Sequence, residues 1–503
     1  MDRVLSISVL VGTTLWSVIV ATFLLRYWTL LGVDGRVNLL LLVLVILIIV
    51  GSLIVIFLKR SLRNSIALIA VSVFLTLYAV EFVNYTLTYY PGFPDLSPPL
   101  KVNAALIQKA EKNEIWIDKR SKIEVLRDLR LRGLPSYPAF LVTNRVPWDE
   151  NPDLYVEEPL PLGSISKSTV VHCNESGKWS IYNSDEKGFN NPVGIWGKTE
   201  YTTVLLGDSY VHGACVDPDE DLGSWIRKEY ANTISLGQRG NGPILQLAGL
   251  KEYGVHLRPQ YVVWFYTENN DLVNLIGESN SSFLSRYLNE DFSQNLFNRQ
   301  EDLDKFVHKF TEYNYKLAKK SSSATALTHA RYILTLRSLR KKFGLEVHGR
   351  HPESSEWKVL VGIGLLESNG PSNLDKKPGG VLWTDSQSER WYGEWSQQLP
   401  KYRSVLSLAK DKTESWGGKL IFVFLPNGGR YDRPDAPHWR LKEDMLEIVN
   451  ELGIPIIDSD LVIGDGDHRR YFPANGGHYN SEGYRVVSEQ VITLIRKYQN
   501  NQL

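Results

Sequence analysis

Four short blocks, far apart along the chain, hold residue types suited to acyl chemistry. The first is Thr203 to Gly213, TVLLGDSYVHG. Val204, Leu205 and Leu206 predict a short buried strand, and Gly207, Asp208 and Ser209 break it with residues that suit a sharp strand-to-helix turn. A serine there is presented rather than buried, at the start of a helix whose unpaired N–H groups favour a developing negative charge. In an open parallel sheet, ligands bind beyond the carboxyl ends of the strands, which is where this turn would lie. Taken alone the triplet is a weak signal, because Asp-Ser ahead of a helix is commonly a plain N-cap.

The companions downstream strengthen it. A strand over Thr233 to Leu236 runs into the loop Gly237, Gln238, Arg239, Gly240, Asn241, Gly242 and Pro243, where glycine N–H groups can approach an oxyanion. Alone, such a loop is more commonly an ordinary turn. Tyr261 to Tyr266, YVVWFY, is a strongly apolar strand that ends in Thr267, Glu268, Asn269, Asn270 and Asp271. The last block, Tyr471 to Tyr484, sets His478 in a Gly/Asn-rich loop ahead of an amphipathic helix, Val486 to Tyr498. His212 reads as a packing or capping residue, and Asp467-His468 is a rival pair that precedes a surface-like Arg-Arg run. Strands alternating with helices imply a parallel sheet whose loops gather along one edge.

The rest of the chain must position these residues. Lys plus Arg equals Asp plus Glu, 56 against 56, so no global basic field exists to hold a nucleic-acid backbone, and nucleic acid is not an expected partner. Val4 to Leu25, Val37 to Leu58 and Ser65 to Leu87 are apolar runs of about the ~20 residues that span a bilayer, predicting three transmembrane helices in a membrane domain over 1–89. Arg3, Lys59, Arg60 and Arg63 outweigh Arg26 and Arg36, which places the large remainder outside the cytoplasm. The expectation is therefore a multi-pass inner-membrane protein with a periplasmic domain and the lipid bilayer as partner. Glu81, near the outer end of the third run, reads as a side chain reaching water. Cys173 and Cys215 either pair or remain two buried thiols. No cysteine or histidine cluster has metal-ligand spacing, so neither a metal nor a cofactor is expected.

Residues 90–167 read as a linker and juxtamembrane helical region, with Pro91, Pro94, Pro98 and Pro99 leading into an amphipathic stretch, Lys101 to Arg132. The main domain covers 168–503. It opens on a hairpin, Ser168 to Tyr182, and is interrupted at about 273–418 by a mostly helical insertion. Trp383, Trp391 and Trp395 of that insertion either stack on sugar rings or serve as core residues. Lys419 to Pro426 returns as a buried strand, and Ile454 to Ile457 is another.

Together the four blocks resemble the SGNH, or GDSL-like, hydrolase superfamily over roughly Tyr201 to Tyr498. The resemblance implies a flavodoxin-like α/β domain with a parallel sheet. It implies Ser209 as nucleophile, His478 as general base, and the N–H of Gly240 and the amide of Asn270 as oxyanion donors beside the N–H of Ser209. The family's acid, three residues before its histidine, falls on Asn475, which cannot carry the charge that stabilises an imidazolium. A Ser-His dyad, a substitute acid or lost catalysis are the alternatives, and Asp458, Asp460, Asp465 and Asp467 are the acids nearest in sequence. Ser235 stands where the family commonly has asparagine, and Asp208 and Asp271 read as turn and cap residues. The expected function is a membrane-anchored esterase or O-acyltransferase acting on an acylated cell-envelope glycan, a transferase needing a membrane partner or a lipid-borne acyl donor. A different class is a non-catalytic glycan-binding or assembly subunit that keeps the fold.

Overall fold

A computed structural model describes residues 58–89, 110–111, 114, 116–140, 159–268, 270–323, 385–473 and 477–502. The chain divides into two compact units, residues 1–99 with 317–358 and residues 100–316 with 359–503. Among the described residues the strands are β1 (Ser136–Pro138), β2 (Thr169–Val171), β3 (Ile181–Asn183), β4 (Thr203–Leu206), β5 (Thr233–Ser235), β6 (Tyr261–Thr267), β7 (Lys419–Leu425) and β8 (Ile456–Asp458).

All seven positions of β6 are buried, and a strand without a solvent face needs covering layers on both sides. It lies at the centre of a parallel five-stranded sheet of order β5-β4-β6-β7-β8, with Leu206 of β4 beside Trp264 and Thr267 beside Leu425 of β7. Side chains alternate between the faces, as the period of two requires. Val204, Leu206, Val262, Trp264, Phe422 and Phe424 pack with Ile244, Leu245 and Tyr402 on one face. Leu205, Val263, Phe265, Ile421 and Val423 pack with Ile226, Val487 and Val491 on the other. Each such side chain contributes about 1.5–3 kcal/mol relative to exposure. The α/β parallel sheet expected from the sequence is thus present. The strand order reverses at β4, so the crevice beyond β4 and β6 is its switch point, where open α/β sheets bind ligands.

A second, three-stranded sheet precedes it in the chain. There β1 runs parallel to β2, and β2 pairs antiparallel with β3 in the hairpin anticipated over 168–182. The helix Lys122–Leu131 leads into β1, started by a capping box in which Ser121 and Glu124 satisfy each other's backbone N–H.

The expectation of three transmembrane helices is corrected. Val4 to Leu25, and Val37 to Leu58 apart from its last residue, lie outside the described residues. Ser65 to Leu87 falls within the helix Arg60–Tyr89, and among the described residues no helix is long and apolar enough to cross a membrane. Ser65, Ser72 and Thr76 put hydroxyls into that run and Glu81, wholly buried, puts a carboxyl group into it. The multi-pass localisation with a periplasmic domain rested on those spans, and the described residues supply none of them. The prolines of 90–99 lie outside the described residues, as does Trp383. Trp391 and Trp395 stack on each other at 5.6 Å and meet His438 edge-on, packed against the main core, which is the core reading of these aromatics.

Candidate active site

The turn after β4 is forced by close packing. A Cβ on Gly207 would lie 2.3 Å from Cγ2 of Val211, so only glycine lets the chain fold back so tightly. Asp208 then caps the short helix Ser209–His212 by accepting the Tyr210 N–H at 3.0 Å. Ser209, 8% exposed, is the first residue of that helix, and its hydroxyl donates to Nε2 of His478 at 2.9 Å.

His478 reaches the serine from the loop before the helix Ser481–Gln499, which begins where Asn480 accepts the Gly483 N–H at 3.0 Å. The Tyr210 hydroxyl donates to the Gly477 carbonyl at 2.7 Å, and its ring lies 4.9 Å from the imidazole, so the element bearing Ser209 also steadies His478. Nδ1 of His478 donates to Glu175, 3.0 Å from Oε1 and 2.9 Å from Oε2. Oε2 also accepts the backbone N–H groups of Gly477 at 3.1 Å and His478 at 3.2 Å. These bonds fix the tautomer, with the proton on Nδ1 and a lone pair on Nε2 facing the serine. Burial pushes the Glu175 carboxyl up, but the His478 charge and the donated hydrogen bonds overcome it and hold it at about 2. Burial pulls His478 down, yet the charge and hydrogen bond of Glu175, with Asp208 assisting and Arg239 opposing, leave it above its ordinary value.

The carboxylate at Nδ1 is therefore that of Glu175 and not of one of the aspartates near Asn475 in sequence. Asn475 lies outside the described residues. Asp467 is exposed and uses its carboxylate to cap a turn at the Arg469 N–H, and Asp465 is exposed beside it. Asp458 and Asp460 are taken by Lys442. Glu175 comes instead from the β2–β3 connection, on a turn that the sequence marks by Asn-Glu-Ser-Gly. Gly177 has φ +95°, and a Cβ there would lie 2.4 Å from the Trp116 carbonyl oxygen. The segment before the Lys122–Leu131 helix braces this turn. Asp118 N–H donates to Gly177 O at 2.6 Å, Asn174 Nδ2 to Asp118 O at 2.8 Å, and the Trp179 indole to Arg120 O at 3.1 Å. Cys173 and Cys215 form a disulfide across this junction, which resolves the two readings of the cysteines.

The expected oxyanion donors sit at the ends of β5 and β6. Gly240 has φ +74°, and among the described residues neither its N–H nor that of Ser209 meets a hydrogen-bond acceptor. The loop around Gly240 is held from two directions. Arg239 N–H donates to Nδ1 of the buried His212 at 3.1 Å, and Glu278 accepts the N–H groups of Gly242 at 2.6 Å and Ile244 at 2.8 Å. Burial, with the positive charges of Arg239 and Lys122, pulls His212 down to about 3, so it stays neutral and acts as an acceptor. Asn270 gives one amide hydrogen to Asp208, leaving the second for a ligand. Asp208 also accepts from the Thr267 hydroxyl at 3.0 Å and has no exposed surface, so it orients Asn270 rather than reacting. Asp271 is buried, bonded to Gln246 at 3.2 Å, and burial pushes its carboxyl well up, consistent with a structural role.

Among the described residues, Glu175, Cys215 and His478 place donor atoms within 4.8 Å of one another. The Cys215 sulfur is bonded to Cys173 and both imidazole nitrogens are engaged, so this set is not open to ligate an ion. No protein-family model and no curated protein matches this chain.

Proposed function

We propose that the chain is a serine esterase or O-acyltransferase of the SGNH type, working through Ser209, His478 and Glu175. The observation that carries the reading is the continuous relay from the serine hydroxyl to Nε2, and from Nδ1 to a carboxylate, at the switch point of a parallel sheet. Ser209 attacks an ester carbonyl while His478 takes its proton, and Glu175 stabilises the imidazolium that forms. The N–H groups of Ser209 and Gly240 and the free Asn270 hydrogen receive the oxyanion. His478 then returns the proton to the departing alkoxide, leaving an acyl group on Ser209. Water resolves that intermediate in hydrolysis and a second hydroxyl resolves it in transfer.

The non-catalytic reading drew its weight from Asn475 at the family's acid position. The Glu175 carboxylate at Nδ1 favours the catalytic reading over it. Among substrates, O-acylated glycans come first, because the resemblance includes enzymes that add or remove O-acetyl groups on glycans; a transferase would take its acyl group from a partner or a lipid-borne donor. A fluorophosphonate probe and p-nitrophenyl acetate test the chemistry together. Wild type is expected to be labelled and to turn over, and Ser209→Ala to do neither. Equal turnover by Ser209→Ala would end the proposal, and added sugar hydroxyls that divert acyl groups from water would assign transfer over hydrolysis.

A further inference from the structure

Cys173 stands two residues before Glu175, and Cys215 stands six after Ser209. Their disulfide joins the turn that carries the acid to the segment leaving the nucleophile helix, and both sulfurs lie in a small buried cluster with Ala214. Cys215 has φ +65°, a left-handed conformation that non-glycine residues adopt only where the surroundings impose it. The Tyr484 hydroxyl, from the helix Ser481–Gln499, donates to Ala214 O at 3.2 Å, while the Ser180 hydroxyl, from the hairpin, reaches across to Val216 O at 2.7 Å. One side of the disulfide is therefore anchored to the main domain. The other bears Glu175, which belongs to the small sheet and not to the strands that carry Ser209, Gly240 and Asn270.

We infer that the Cys173–Cys215 disulfide is a positioning clamp for the acid of the triad, so that the redox state of these two sulfurs sets how well Glu175 supports His478. The inference rests on the proposed Ser209 chemistry for its effect on rate, but its geometric content is independent of any substrate. A dithiol reductant delivers two electrons and two protons to the S–S bond, which becomes two thiols while the reductant becomes a disulfide. The turn then keeps its backbone brace to Asp118, the Ser180 and Lys178 bonds to Val216 and Asp217, and the Glu175 bonds to the Gly477 and His478 N–H groups, but loses its covalent tie to the nucleophile segment. An acid displaced by about 1 Å costs on the order of 10²-fold in rate. Reduction should lower turnover without unfolding the domain.

His478 reports the outcome directly. The groups that face it are Glu175 from the hairpin turn, Asp208 and Tyr210 from the nucleophile turn, Arg239 from the oxyanion loop, and His172 from the hairpin. His172 and Glu175 both flank Cys173, but Glu175 is the one whose charge and hydrogen bond raise His478, so loosening it removes support for the imidazolium and the His478 pKa falls.

The test is an NMR titration of His478 in the full chain, assigned against His478→Gln, with the protein oxidised, reduced with dithiothreitol, and carrying Cys173→Ala with Cys215→Ala. Ester turnover is followed on the same samples and in a Glu175→Gln background. The clamp predicts a lower His478 pKa without the disulfide, a fall in turnover of about 10²-fold, and no further fall from reduction once Glu175 is Gln. An unchanged His478 pKa, or an equal fall in both backgrounds, overturns it. If the double alanine variant does not fold, reduction of the folded wild type decides. Should Ser209 prove unreactive while the His478 pKa still follows the disulfide, the esterase reading fails and the clamp stands.

Discussion

Glu175 precedes His478 by 303 positions, yet both of its carboxylate oxygens lie within 3.0 Å of the same imidazole nitrogen. The carboxylate matters as a charge, because it is what keeps the imidazolium stable inside a partly buried site. Glu175→Gln keeps the shape and removes the charge. In serine proteases the equivalent change, from the triad's aspartate to asparagine, costs ~10⁴ in turnover, and a loss approaching that size is expected here with little change in KM.

The pH profile carries a separate prediction. His478 must be neutral to accept the serine proton, and its pKa is raised above 6.5. Activity should therefore rise with pH through a limb above that value. In Glu175→Gln the support is gone, burial and Arg239 pull the imidazole down, and the limb should move to lower pH. A profile that keeps its position in the variant would show that Glu175 does not act through His478.

Asn270 is expected to matter only as charge develops on the substrate oxygen. Replacing it with alanine removes one donor, a loss of ~10²–10³ in kcat with KM nearly unchanged. Asp208→Asn should give a smaller loss, since it leaves Asn270 in place but takes away the acceptor that aims its amide. Steady-state kinetics on one activated ester separate the two.

Why Glu175 escaped the sequence is a matter of range. Ser209, Gly240, Asn270 and His478 each follow a strand or precede a helix within a few residues, so a local pattern of apolar run and small-residue loop marks them. Glu175 lies in an equally plain turn of a predicted hairpin, but nothing local ties a surface-like glutamate to a histidine at the other end of the chain. One signal did exist. Pairing Cys173 with Cys215 would have drawn that turn to within a few residues of Ser209, ahead of any aspartate near Asn475. The sheet was legible for the opposite reason: β6 and β7 are apolar at nearly every position, a mark of strands covered on both faces. Ser65 to Leu87 shows the reverse failure, where hydropathy alone suggested a span and the described helix does not supply one.

Glu278 links stability to pH. Burial, opposed by the backbone N–H groups of Gly242, Ile244 and Leu245, pushes its carboxyl up to about 8 from 4.5. Between those values the folded chain holds a proton that the unfolded chain has lost. Stability should then fall as pH rises through the window, by up to about 1.4 kcal/mol per pH unit. Glu278→Gln, which stays neutral throughout, should show a shallower decline in urea midpoint between pH 5 and pH 8 than wild type.

Gly237 tests how tightly the nucleophile helix and the oxyanion loop are fitted. A Cβ there would lie 2.4 Å from the Val211 backbone carbon and 2.6 Å from the His212 N, and backbone atoms in a short helix cannot yield as a side-chain tip can. Gly237→Ala must therefore push β5's loop away from Ser209–His212, at a cost of about 1–3 kcal/mol in stability. The same displacement carries Gly240 away from the serine, so activity should fall by on the order of 10²-fold. Gly393 makes the control: it sits in the helix Asp385–Ser396 with nothing within 4 Å of its added Cβ. Gly393→Ala should leave turnover unchanged and raise stability by about 0.4–1 kcal/mol. Thermal midpoints and p-nitrophenyl acetate turnover on the pair would show whether the loss belongs to that one approach between two loops.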